Sequence, residues 1–542
     1  MWRVKSLDAI LATAQKKSLH RSLGPVQLTL LGIGAIIGTG IFVLTAAAAQ
    51  KAGPGMMYSF IIAGAVCAVA ALCYSELAAM APVSGSAYTY TYAVMGELLA
   101  WMVGWALILE YAVAASAVSV GWSGYFMGLL ENALHFDWPD QLSAGPAWTL
   151  INGYIPSPNF AAEGAGFINV PAIIVALAVT ALLMIGTTES ARVNAILVAI
   201  KVAALTAFIV LTFPLISKSG ANFTPIAPNG WFGPEGTSGM GIVGAAASIF
   251  FAYVGFDAVS TAAEETKNPQ RNVPIGLIGS LAICTVFYLL VAAGAVAAIG
   301  AQPVLGLDGS LVQPGDDKFK AACALAENAG RLVCSDEALA HVLREINYPA
   351  VGNALGTAAM LALPSVILMM IYGQTRIFFV MARDGLLPEV FSRVHPKWKT
   401  PHIITLFTGI AVAIAGALFP VGKLADISNS GTLFAFFMVS IAVLILRVKE
   451  PNRHRPFKTP LVWIMAPLSA AGCAFLFWNL PHDAKMVLPI WGGIGLVIYL
   501  LYGMHKSHVG RGIIDVPELD PDAPQVPVPP MPGAPTPGED NG

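Results

Sequence analysis

The stretch GIGAIIGTGIF, Gly32–Phe42, lies inside an apolar run from about Leu28 to Ala49 that is long enough to cross a bilayer as a helix. Four glycines within nine residues disfavour a regular helix, since each costs about 0.5–1 kcal/mol relative to alanine. One interpretation is that the helix unwinds here, which is tolerated at bilayer depth only beside a protected polar cavity. The other is a helix–helix packing groove built on Gly34 and Gly38. The stretch alone leaves both open.

The composition around this stretch is that of a membrane protein. Of the 542 residues, 56% are hydrophobic and only 11% are charged, and the mean hydropathy is +0.70. Soluble domains carry about 25% charged residues. The formal net charge of -2 gives no indication of nucleic-acid binding. The chain is therefore predicted to be an all-α polytopic membrane protein.

Apolar runs of roughly 20 residues mark about twelve membrane-spanning helices. They lie near 27–49, 55–80, 92–130, 169–187, 193–216, 238–264, 274–300, 351–381, 402–420, 424–447, 460–480 and 487–505.

Lysine and arginine are unequally distributed between the connecting segments. With the N-terminus inside the cell, the inner segments collect most of them, whereas the outer segments hold few, among them Lys51 and Lys423. Because these residues accumulate on the cytoplasmic side, both termini are predicted to be cytoplasmic. Residues 1–22 are predicted to form an amphipathic surface helix. The Pro-rich tail, 506–542, is predicted to be disordered, and its protein partner, if it has one, is unknown.

A second polar, glycine-containing break lies five spans after the first, in SIFFAYVGFDAVST, Ser248–Thr261. Breaks at equivalent places in spans one and six point to an inverted repeat of five plus five helices, with the solute held at the midplane between them. The N-terminus of a half-helix suits a carboxylate, and the free carbonyls at a half-helix C-terminus suit an ammonium group. Together they describe a site for an α-amino acid. This pairing favours unwinding of the opening stretch.

Three ionisable residues lie deep in predicted spans, where charge is costly and usually functional. Lys201, in span five, is predicted to take part in coupling by bridging a carbonyl of the first break, in place of a sodium ion; the alternative is a lysine that reaches the membrane surface. Glu110, in span three, either contacts the solute or hydrogen-bonds a neighbouring helix. Asp257, after the second break, either gates the site or caps the next half-helix.

Cys323 and Cys334 lie in a long external loop, about 301–350, on the side predicted to be oxidising. A disulfide between them is the hypothesis. In the same loop, the apolar stripe through Leu339, Val342 and Leu343 predicts a helix on the outer face. The four cysteines within spans are interpreted as packing residues.

Several motifs carry a family resemblance. They are IIGTGIF at 36–42, CYSEL at 73–77, SGSAY at 84–88, and GFD at 255–257, followed by Glu264-Glu265 and Asn268-Pro269. In order and spacing they resemble the amino acid–polyamine–organocation superfamily, and within it the cationic amino acid transporter branch of bacterial type. The resemblance covers roughly 20–505.

This resemblance implies a LeuT-type fold with a ten-helix core and two added helices, in a bacterial plasma membrane. It places the substrate carboxylate against the first break and the amino group against carbonyls of the second. The residues are Ile36, Gly38, Thr39 and Gly40 in the first break, and Phe251, Ala252 and Val254 in the second. The span-five lysine of proton-coupled relatives matches Lys201, which favours protons over sodium.

The leading hypothesis is a secondary active transporter of L-amino acids, coupled to protons and working by alternating access. The side chain of the transported amino acid is predicted to be cationic or small and neutral. An amino acid exchanger, or a transporter-like sensor that uses its tail, are the alternatives. An enzyme is not expected, nor are cofactors, metals or nucleic-acid partners; the expected partners are the amino acid, protons and the lipid bilayer. The chain is predicted to divide into five segments. They are the cytoplasmic N-terminus, 1–22, repeat one, 23–216, repeat two, 217–447, the two added helices, 448–505, and the tail, 506–542.

Overall fold

The computed structural model describes residues 3–5, 23–81, 86–136, 138–151, 155–160, 166–186, 191–235, 237–261, 263, 266–328, 330–398 and 400–512. Within them, seven helices are long and apolar enough to cross a membrane, and five shorter apolar helices accompany them. Together they overlap all twelve predicted spans. The prediction of an all-α polytopic membrane protein of LeuT type is confirmed. The division into two five-helix repeats stays a prediction.

Within the described residues, the first part of the chain contains eight α-helices and one hairpin. The helices are α1 (Pro25–Ile36), α2 (Thr39–Phe42), α3 (Leu44–Ala52), α4 (Met56–Met80), α5 (Ser86–Val94), α6 (Glu97–Leu134), α7 (Val170–Ile185) and α8 (Ala191–Ile216). Between α6 and α7, strands β1 (Ala147–Ile151) and β2 (Ile155–Asn159) pair antiparallel.

The predicted span 92–130 is divided between two helices. Helix α5 ends at Val94 and α6 begins at Glu97, because the intervening Gly96 has a φ of 100°, which a continuing helix cannot accommodate. The expected long span is therefore α6 alone.

The described residues of the second part add eleven α-helices. They are α9 (Gly241–Ile249), α10 (Ala258–Thr261), α11 (Pro269–Ile299), α12 (Asp317–Cys323), α13 (Ala338–Glu345), α14 (Pro349–Arg383), α15 (His402–Leu418), α16 (Val421–Lys449), α17 (Val462–Trp478), α18 (His482–Ile498) and α19 (Met504–Lys506). Helix α13 is the predicted loop helix, and Leu339, Val342 and Leu343 of its apolar stripe are all buried.

Two packing centres enclose the interrupted segments. Helix α6 packs against α14 and α16, while α11 packs against α1, α4 and α8. The segments around residues 37–38 and 250–257 lie between these centres and are buried. The fold thus places both breaks in the protein interior.

The position of Lys51 differs in one respect from the prediction, while the side of the membrane on which it lies stays a prediction. It lies in the last turn of α3 rather than in an outer loop, and its side chain is only 2% exposed. Its Nζ donates to Oδ2 of Asp426 at 2.8 Å and to the hydroxyl of Ser248. A buried ion pair therefore joins α3 to α16, with α9 beside it.

Several predictions fall outside the described residues. These are the amphipathic helix, apart from residues 3–5, the tail beyond residue 512, and Glu264 with Glu265.

Candidate functional site

The first break interrupts the opening stretch between two helices. Helix α1 ends at Ile36, α2 begins at Thr39, and Gly38 between them has φ -145° and ψ -148°. The hydroxyl of Thr39 is buried and has no hydrogen-bond partner among the described residues. An unpaired buried hydroxyl costs free energy, so this position favours a polar partner in the break.

The second break follows α9. The chain continues as a 3-10 turn, Phe250–Tyr253, and Val254 is extended, with ψ 139°. The carbonyl of Phe251 accepts the N–H of Val254 at 3.1 Å, so it is engaged within the turn. Asp257 follows directly, before α10 begins.

The two breaks are in direct contact. A Cβ added to Gly40 would lie 2.3 Å from the Cα of Ala252, so no other residue fits at position 40 without moving the backbone. By contrast, a Cβ added to Gly38 would meet Val366 at 3.4 Å, which is ordinary contact. The helix therefore unwinds at 37–38, and the tight backbone contact is made by Gly40, which was not part of the predicted packing groove.

Tyr288 of α11 joins the breaks through its hydroxyl. This hydroxyl lies 2.8 Å from the carbonyl oxygen of Ile36 and 2.9 Å from that of Ala252. Its ring is buried against Phe60 and Tyr253. Sequence reasoning missed Tyr288. The available signal was a tyrosine within an apolar span, since a buried hydroxyl usually finds a hydrogen-bond partner.

Lys201 of α8 reaches the end of α1. Its Nζ donates to the carbonyl of Gly34 at 2.8 Å and to the hydroxyl of Ser365 at 3.3 Å. The side chain is 1% exposed, so it does not extend to the membrane surface. The contact joins Lys201 to the last turns of the helix that ends at the first break, and its role in coupling stays a prediction.

Glu110 and Asp257 form an acidic pair near the second break. Both side chains are buried. Asp257 accepts a hydrogen bond from the hydroxyl of Tyr111 at 2.8 Å. Neither carboxylate oxygen of Glu110 has a partner within the described part of the chain, and the nearby hydroxyl of Thr432 donates instead to Ser428. A buried carboxylate of this kind calls for a proton or a cation.

The structure thus brings together most of the predicted site residues. The carbonyls of Ile36 and Ala252 meet at the hydroxyl of Tyr288, and Gly40 packs against Ala252. Lys201 contacts the end of α1, and Thr39 lies beside Gly121 of α6. Cys323 and Cys334 lie elsewhere, in the loop, where the structure joins them as a disulfide with a Cα–Cα distance of 5.4 Å.

Comparison with known proteins identifies the family. A family profile described as "Amino acid permease" matches residues 23–501. The chain is 43% identical to the branched-chain amino acid permease BcaP of Bacillus subtilis, over 94% of this chain and 99% of that protein. It is 38% identical to the methylthioribose transporter of the same organism, over the same shares. It is also 34% identical to a vacuolar cationic amino acid transporter of Arabidopsis thaliana, over 80% of this chain and 64% of that protein.

These matches confirm the resemblance that the motifs indicated, and they involve transporters rather than enzymes. The chain belongs to the amino acid permease family of the amino acid–polyamine–organocation superfamily and is a multi-pass membrane transporter.

Proposed function

We propose that the protein imports L-amino acids together with protons by alternating access. Proton coupling is proposed from one observation. Lys201 donates a hydrogen bond to the carbonyl of Gly34, and this bond links α8 to the end of α1. A charge-assisted bond of this kind contributes about 1.5–3 kcal/mol. Loss of the lysine proton would leave a neutral amine, which is a weaker donor, so protonation controls how firmly α1 is held.

The substrate head is recognised mainly by the backbone of the two breaks. Its carboxylate lies at the first break, near Gly38, Thr39 and Gly40, where the hydroxyl of Thr39 has no other described partner. Its ammonium group lies at the carbonyls of Ala252 and Val254. Glu110 supplies the counter-charge, since its buried carboxylate has no partner among the described residues. Asp257, held by Tyr111, gates the site from the second break.

For the side chain, the proposal is a neutral aliphatic amino acid, the branched-chain class included. It rests on the BcaP relatives of Bacillus subtilis and Lactococcus lactis, which are 43% and 31% identical and are named for branched-chain amino acids. A cationic side chain is the second candidate, because Glu110 could neutralise it and cationic amino acid transporters are also relatives.

The orientation of the protein in the membrane is proposed from the charge bias. Both termini are proposed to be cytoplasmic, and the loop that carries Cys323 and Cys334 lies outside a bacterial plasma membrane.

The test is uptake into proteoliposomes. An inward proton gradient should drive accumulation of leucine or alanine, and an uncoupler should abolish it. Equal accumulation driven by sodium at fixed pH would refute proton coupling. Unlabelled leucine, lysine and methylthioribose, added as competitors, separate the cargo classes.

Two controls address the alternatives. An exchanger would take up labelled amino acid only into preloaded vesicles. A chain shortened by residues 513–542 should still transport, whereas loss of uptake would favour a role for the tail.

A further inference from the structure

A groove of about 800 Å3 runs along α18, between α6, α16 and α17. Its wall is almost entirely apolar, with Met102, Phe434, Phe477, Trp491 and Leu496 as main contributors. Its volume lies within the range of about 300–1,000 Å3 that is usual for ligand pockets. None of the residues proposed to bind the amino acid lines it.

Two adjacent glycines create the depth of this groove. A Cβ added to Gly493 would meet nothing within 4 Å, and one added to Gly492 would approach only the end of Met102, at 3.1 Å. Glycine costs about 1 kcal/mol in a helix interior relative to alanine. A glycine needed for helix packing would face a close neighbour, whereas Gly493 faces open space. The pair therefore keeps a groove open.

The floor of the groove is rigid and leaves water no polar group to bind. The rings of Trp105 and Trp491 stack at 4.7 Å, and each indole N–H donates to the carbonyl of the other residue, at 2.8 and 2.7 Å. Trp101 stacks on Trp105 and donates to the carbonyl of Gly495. Because these polar atoms are paired, the faces that line the groove are apolar, and an apolar cavity does not hold water.

The length of the groove matches one leaflet of a bilayer. Eleven residues separate Lys485 from Leu496, which is about 16 Å along a helix. Half of a hydrocarbon core of about 30 Å is about 15 Å. The groove thus extends from one membrane surface to about the bilayer centre.

A lysine lies at the mouth of the groove. The Nζ of Lys485 donates to the hydroxyl of Ser238 at 3.1 Å and to the carbonyl of Trp478 at 3.0 Å. The nearby carboxylate of Asp483 lies 3.6 Å from Lys423 instead. No carboxylate pairs with Lys485 in the part of the chain that the structure describes. The mouth therefore offers an uncompensated positive charge.

We propose that this groove binds one phospholipid with an anionic headgroup, with an acyl chain along Trp491 and Gly493 and the phosphate at Lys485. The lipid comes from the leaflet on the side of the disulfide loop. Lys485 contacts Ser238, and Gln313, which belongs to that loop, also contacts Ser238. This proposal does not depend on which amino acid is transported.

The experiment uses full-length protein in vesicles that contain equal amounts of phosphatidylglycerol and phosphatidylcholine, followed by native mass spectrometry of the lipids retained. Wild type should retain one phosphatidylglycerol, preferred about fivefold over phosphatidylcholine, as expected for one lysine near a phosphate. Lys485→Gln should abolish the preference but keep a lipid. The matched control Lys218→Gln, at an exposed lysine after α8, should change nothing.

The groove itself is tested by filling it. Gly493→Leu should displace the retained lipid, and Gly493→Ala, which adds one methyl group, should weaken retention less. Both variants must elute as monodisperse protein. Unchanged retention in correctly folded Gly493→Leu would overturn the acyl-chain assignment. Equal retention of both lipids by wild type would overturn the preference for an anionic headgroup, since phosphatidylcholine carries a phosphate as well. If wild type is a dimer and Gly493→Leu dissociates it, the groove is occupied by a second copy of the chain instead of a lipid.

Discussion

Gly40 and Gly38 form a matched pair, because both lie in the first break but only one has no room for a methyl group. In Gly40→Ala the new Cβ would lie 2.3 Å from the Cα of Ala252, a backbone atom that cannot move alone. In Gly38→Ala it would lie 3.4 Å from the side chain of Val366. Overpacking of a tight interior costs about 1–3 kcal/mol, and contact with backbone should reach the upper end.

We therefore expect Gly40→Ala to destabilise the protein by about 3 kcal/mol and to separate the two breaks. Gly38→Ala should cost less, since its new Cβ would meet Val366 at an ordinary distance and its φ lies outside the left-handed region. Thermal unfolding in detergent gives the stability difference, and uptake into proteoliposomes gives the effect on transport. Equal loss of stability and transport in both variants would refute the contact between Gly40 and Ala252 as the reason for the glycine.

Three further variants test the proposed mechanism. Lys201→Met removes the ammonium group but keeps the length of the side chain, so gradient-driven accumulation of the amino acid should disappear. If accumulation survives and an uncoupler still abolishes it, Lys201 has no role in coupling. Glu110→Gln should raise the KM for amino acid about tenfold or more, because a charged hydrogen bond contributes about 1.5–3 kcal/mol, and an unchanged KM would exclude contact with the substrate. Tyr288→Phe keeps the ring and removes the hydroxyl shared by two buried carbonyls; unfolding should occur at lower temperature, equivalent to about 1–3 kcal/mol, and an unchanged transition would show that the carbonyls are satisfied without it.

The parts of the site that sequence could predict are those with a distinctive composition. The first break was predictable because four glycines are unusual in one span, and Lys201 because a lysine within an apolar helix is rare. The Lys201–Gly34 contact follows the expectation for that residue.

Other contacts left no distinctive mark in the sequence. Tyr288 is one tyrosine in an apolar span, a pattern that fits a membrane-interface residue equally well. Lys51 follows the end of an apolar run and was therefore placed outside, but its charge is compensated by Asp426, which lies 375 positions further along the chain. Such distant pairings depend on how the helices pack, which hydrophobic periodicity alone does not determine.

Recognition of the substrate head by main-chain atoms has an evolutionary consequence. Every residue except proline carries the same backbone N–H and every residue the same C=O, so most substitutions at Ile36 or Ala252 leave the proposed head contacts chemically unchanged. Gly40 is the exception, because its neighbour leaves no space for a side chain. Mutations that alter the walls around the cargo side chain can therefore accumulate while head binding and the Lys201 contact persist, which allows a permease of this design to acquire new cargo without rebuilding its mechanism.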